Sequence, residues 1–131
     1  MQVHLKVIGV LLIILSLIHV AFPYYFKWKK ELSTLSLVNR QMIYVHTFFI
    51  SVTIFSMGIL CLSNGRELVH TNLGRSIALG LAIFWFLRLL FQFFVYSSSL
   101  WKGKSFETIV HIVFSALWVY LSTVFFLAWY R

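Results

Sequence analysis

Apolar residues fill four long stretches of the chain, about residues 3–22, 41–62, 76–96 and 106–130, and polar residues gather in the short intervals between them. Each stretch reaches the roughly 20 residues that a helix needs to cross a bilayer core. Membrane strands run only about 9–11 residues and alternate apolar with polar positions. The pattern therefore predicts an all-α fold, a transmembrane four-helix up-down-up-down bundle in which residues 1–131 form a single integral membrane domain. Short connections make neighbouring spans antiparallel.

The connections carry their own signals. Pro23 is expected to stop the first helix, because it lacks an N–H and clashes with the preceding turn. Tyr24, Tyr25 and Trp28 suit the membrane interface, beside Lys27, Lys29 and Lys30. A short interfacial helix is expected over residues 31–39. Ser63-Asn64-Gly65 reads as a turn. The third connection, about residues 97–105, holds Trp101, Lys102, Gly103 and Lys104. Lys6 followed by residues 7–18 has the outline of a signal peptide. However, the end reads His19-Val20-Ala21-Phe22-Pro23, with no small-residue cleavage site, so an uncleaved helix is expected.

Composition agrees with the pattern. Hydrophobic residues make up 61% of the chain and charged ones 11%, with a mean hydropathy of +0.92. A disordered chain would have the opposite balance. Cys61 is the only cysteine, which excludes an intrachain disulfide framework. The net charge of +8 would suggest nucleic acid on a soluble protein. Here the basic residues lie between apolar runs, facing lipid headgroups, so the bilayer is the expected partner and nucleic acid is not. Lys27, Lys29, Lys30, Arg40, Lys102 and Lys104 fall on one side of the membrane, and Lys6, Arg66, Arg75 and Arg131 on the other. The positive-inside rule then leans towards both termini outside. The expected location is a membrane, as a multi-pass protein of the bacterial inner membrane type.

Polar residues inside the spans are the chemically informative ones. His19 closes span one, His46 opens span two, Arg88 and Gln92 lie late in span three, and Glu107 and His111 open span four. In an up-down-up-down order all of them fall in the same half of the bilayer. They also form stripes at helical spacing: Trp85, Arg88, Gln92 and Tyr96 in span three, and Glu107, His111, Ser115, Trp118 and Ser122 in span four. Span two offers Asn39, His46 and Thr53, and span one Ser16 and His19. His4 and His70 belong to the opposite side and stand apart from this set.

Arg88 lies roughly 12 Å below Tyr96 along the helix. Helical side chains lean towards the N-terminus, so snorkelling to the near surface works against that lean. An unpaired charge at the centre of a span costs roughly 2.5–3.5 kcal/mol. Two readings stay open: a clamp between Arg88 and Glu107, in part through Gln92, or an anionic ligand group on Arg88.

Three ligand classes fit the set. Zinc or copper could take His19, His46 and His111, with Glu107 as fourth ligand. Haem b could be held by His46 and His111 on diagonal helices, with Arg88 on a propionate. A quinone or lipid carbonyl could be bound by His, Arg88 and Gln92. No His-Glu-x-x-His, Cys-x-x-Cys or P-loop is present to decide between them. Val45-His46-Thr47-Phe48-Phe49 faintly echoes Val110-His111-Ile112-Val113-Phe114, at the same place in each hairpin.

Several segments together resemble small, uncharacterised four-span bacterial integral membrane proteins. They are His19-Val20-Ala21-Phe22-Pro23, Asn39-Arg40-Gln41-Met42 with His46-Thr47-Phe48-Phe49, Phe84-Trp85 with Arg88, Gln92 and Tyr96, and Trp101-Lys102-Gly103-Lys104 with Glu107 and His111. That resemblance implies the architecture and no chemistry. The bundle also looks broadly like histidine-ligated cytochrome b bundles, an analogy of architecture alone. The leading expectation is a His/Arg/Gln/Glu-lined pocket in one leaflet. Its rivals are a non-catalytic subunit or scaffold of a larger membrane complex or homo-oligomer, a small proton-coupled carrier, and an enzyme acting on lipid.

Overall fold

A computed structural model describes residues 1–96, 100 and 102–130. The readings that touch residues 97–99, Trp101 and Arg131 lie outside the described residues. The fold is all-α, with no strand among the described residues. Its elements are α1 (Gln2–Tyr25), α2 (Trp28–Glu31), α3 (Leu37–Ser63), α4 (Gly65–His70), α5 (Asn72–Phe94) and α6 (Ser105–Tyr130). The four long helices α1, α3, α5 and α6 are each long and apolar enough to cross a membrane. They contain the four expected spans almost entirely, and begin or end a few residues outside most of them. The chain is a multi-pass membrane protein in architecture, and it divides into two compact units.

The first unit, Gln2–Gly65, is an antiparallel hairpin of α1 and α3. Its seam repeats every seven residues on both helices. Gln2 donates from Nε2 to the Gly65 carbonyl at 3.2 Å. Seven residues on, Gly9 meets Gly58: a Cβ built on Gly58 would lie 2.8 Å from the Gly9 carbonyl oxygen. Seven further on, Ser51 donates its hydroxyl to the Ser16 carbonyl at 2.7 Å. Small residues let the two backbones approach closely, which is the usual basis of helix association within lipid.

Two local expectations need correction here. Pro23 lies inside α1, which continues to Tyr25. Proline removes only its own donor, and the turn beyond it still closes, with Phe26 N–H bonding the Phe22 carbonyl at 2.9 Å. The helix ends instead at Lys27, which adopts the left-handed conformation (φ 53°, ψ 50°). The interfacial helix also comes earlier than residues 31–39. It is the single turn α2, whose Trp28 ring stands edge-on to Tyr44 at 5.6 Å. Ser36 then caps α3, accepting from Asn39 N–H, a role that favours the break before it.

The second unit runs from Arg66 through α6 and is built on an antiparallel pair, α5 and α6. Thr71 caps α5 by accepting from Gly74 N–H at 2.9 Å, and donates its hydroxyl back to the Glu67 carbonyl. Gly74 is required at that turn, because any Cβ there would collide with the Glu67 carbonyl. Arg75 reaches the far end of α6, donating from Nε to the Trp129 carbonyl at 3.0 Å and from Nη2 to Tyr130 at 3.4 Å. A cation at a helix C-terminus satisfies its last carbonyls and complements its dipole.

Only 22% to 33% of the most apolar window of each long helix is buried. The outward faces are Phe, Leu, Ile and Val, such as Phe48, Phe49, Phe86 and Phe91. Lipid is the solvent that such faces require.

Candidate functional site

The seam between α5 and α6 also steps by sevens: Ala78, Trp85 and Gln92 on one helix, and His111, Trp118 and Phe125 on the other. A seven-residue repeat keeps one face of each helix towards its neighbour. Trp85 stacks on Trp118 with ring centroids 5.1 Å apart and planes 12° from parallel. Seven residues on, Gln92 meets His111, with Gln92 Nε2 2.8 Å from His111 Nδ1. Gln92 is 7% exposed, so this polar pair lies well inside the seam.

Arg88 joins the pair from one turn before Gln92. Its Nη1 donates to Gln92 Oε1 at 3.2 Å. Its guanidinium carbon lies 5.2 Å from the Tyr96 ring centre and 5.0 Å from that of Trp118. Cation–π contact of this kind contributes about 0.5–2 kcal/mol, more as water is removed. The side chain thus extends towards the C-terminal end of α5, against the usual lean. Three attractions draw it there: the amide oxygen, the two electron-rich ring faces and the negative end of the helix dipole.

The clamp to Glu107 is not formed. Glu107 is exposed in the first turn of α6, and no ion pair joins it to Arg88 among the described residues. A carboxylate at that position is stabilised by the helix N-terminus, while Arg88 is held by aromatic rings and an amide.

The hydrogen-bond directions follow from Arg88. Guanidinium can only donate. Gln92 must therefore turn its oxygen to Arg88, which leaves its NH2 facing His111. His111 Nδ1 then accepts, and the hydrogen of the neutral ring is on Nε2. In that arrangement neutral His111 has no lone pair left for a metal ion. Phe93 stands edge-on to the imidazole at 5.5 Å.

Three more buried polar groups lie in the same seam. The indole nitrogens of Trp85 and Trp118 are buried, as is the Ser115 hydroxyl, and none of the three has a hydrogen-bond partner among the described residues. Trp85 and Trp118 were legible as part of the polar stripes. Their stacking and unmatched N–H groups were not, because these depend on which turn of α5 faces which turn of α6.

His19 and His46 belong to the first hairpin and behave differently. His19 Nδ1 lies 2.9 Å from the Leu15 carbonyl, and His46 Nδ1 lies 2.8 Å from the Met42 carbonyl. A carbonyl only accepts, so both rings carry a hydrogen on Nδ1, which in a neutral ring places the lone pair on Nε2. His46 is exposed and lines an open groove with Leu35, Asn39, Met42 and Thr47. Among the described residues no group of three or more His, Cys, Asp or Glu could hold a metal ion. A second groove, apolar, runs along α5 and α6 beside Ala82, Phe86, Ser122 and Phe126 and includes none of the expected site residues.

No protein-family model, curated protein or solved structure matches this chain.

Proposed function

We propose that this membrane protein binds a lipid-soluble ligand at the second hairpin, holding a head group that accepts hydrogen bonds against Arg88, Gln92 and His111. One observation carries the reading: the site is built almost wholly of donors. Arg88 uses one N–H on Gln92 and has others to give. The indole N–H groups of Trp85 and Trp118 have no acceptor among the described residues. Buried donors that lack acceptors are costly, about 1–3 kcal/mol each, and a ligand that brings oxygen atoms removes that cost. Quinone carbonyls and lipid headgroups both bring them. A metal ion would need lone pairs that this arrangement does not offer, so the metal and haem readings draw no support from it.

The test is mass-spectrometric analysis of lipid-soluble material extracted from the detergent-purified protein, beside its ultraviolet–visible spectrum. The wild type is expected to retain a quinone or lipid that the Gln92→Leu variant loses, with no Soret band. An identical complement in both proteins, or a Soret band that shifts on reduction, would overturn the reading.

A further inference from the structure

Resting on the ligand site proposed above, we infer that the head group bound at Arg88 is an oxyanion of the phosphate type, carried by a membrane lipid. The argument is one of charge. The Arg88 guanidinium sits in a membrane-length helix, about six residues before its end, and is only partly exposed. No carboxylate compensates it, since Glu107 stands exposed and unpaired with it among the described residues. Its hydrogen-bond partner, Gln92, is neutral, and its ring neighbours Tyr96 and Trp118 soften the charge without neutralising it. A neutral carbonyl would accept a hydrogen bond and leave the positive charge unmatched in a low-dielectric medium. An oxyanion supplies both the acceptor and the countercharge.

Geometry narrows the class further. A guanidinium donates only in its own plane, so ligand oxygens approach along its edge. That edge is the fork that takes two oxygens of one phosphate in parallel hydrogen bonds. Gln92 acts as a positioning residue: it fixes one end of the guanidinium at 3.2 Å and so sets which edge remains open. The apolar surface of the two helices provides the solvent for acyl chains, which makes a lipid the natural carrier of that phosphate.

Native mass spectrometry of the full chain tests this directly, with phosphatidic acid, diacylglycerol of the same acyl chains, ubiquinone and inorganic phosphate as probes. Phosphatidic acid and diacylglycerol differ only in the phosphate, so wild type is expected to prefer the former about a hundredfold. Arg88→Lys retains charge but not the fork and is expected to weaken phosphatidic acid about tenfold, and Arg88→Gln to bring it to the level of diacylglycerol. Arg88→Lys also guards against simple misfolding, because its charge and length are kept. Failure of inorganic phosphate to compete assigns the phosphate to a lipid. Competition by it keeps the oxyanion and overturns the lipid as its source. Equal affinity for phosphatidic acid and diacylglycerol, or retention of ubiquinone in preference to both, overturns the oxyanion while the lipid-soluble site stands. Retention of none of the probes overturns both.

Discussion

The two hairpins use the same seven-residue step for opposite ends. Between α1 and α3 the stations are small: Gly9 against Gly58 and Ser16 against Ser51, with backbones close enough for a hydroxyl to reach the opposite carbonyl. Between α5 and α6 the stations are large or polar: Trp85 on Trp118 and Gln92 on His111. Close backbones leave no room for a ligand. Wide side chains, with two indole N–H groups unmatched among the described residues, leave chemistry undone. The histidines divide in the same way, for His19 and His46 bond their own helices, whereas His111 is oriented across the seam by a relay that begins at Arg88. One periodic pattern thus serves as a fastening in one hairpin and as the frame of a candidate site in the other.

The sharpest way to break this contrast is Trp118→Ala. It removes the ring that stacks on Trp85 and lies against Arg88, and is expected to destabilise the protein by about 3 kcal/mol. Unfolding in detergent reads this out, and a change below about 1 kcal/mol would mean that the aromatic seam is not a packing element. Next is Gly58→Ala, whose new methyl would press on the Gly9 carbonyl and Ile13. An expected loss of about 2 kcal/mol, with ligand retention unchanged, would separate the fastening from the site. Loss of ligand in that variant would show the two roles to be mixed. The smallest effect is expected from Arg75→Gln, which gives up charged hydrogen bonds to the last carbonyls of α6. The neutral Gln2 bond to Gly65 suggests that an amide can do much of this work, so about 1 kcal/mol is expected, diminishing as salt rises. Insensitivity to salt would point to shape, not charge.

The spans were legible because a bilayer imposes length and polarity on every residue of a crossing helix, and four such runs stand clear in the chain. The stripe of Arg88 and Gln92 was legible from the helical period, and its meeting with His111 joins the late part of α5 to the early part of α6. What was hidden is pairing. Charge suggested Glu107 for Arg88, but the partners are an amide and two rings, which no count of charges reveals. Pro23 was misread because the rule against proline concerns one hydrogen bond, and near a helix end the bonds beyond it can close regardless. The small seam of the first hairpin escaped notice because glycine and serine carry no chemical signal until the neighbouring helix is in place.

A seam that repeats every seven residues is open to error in one direction: sliding by a whole repeat brings equivalent faces together again. In the first hairpin such a slip would set Ser16 near Gly58, one small residue for another, and the tie from Gln2 to the Gly65 carbonyl is what marks the right alignment. In the second hairpin the same slip would set Gln92 against Trp118 and strand the amide against an indole ring. Unlike side chains at successive stations therefore act as a vernier. The residues that hold the candidate ligand also tell α5 and α6, as they meet in the membrane, where to stop.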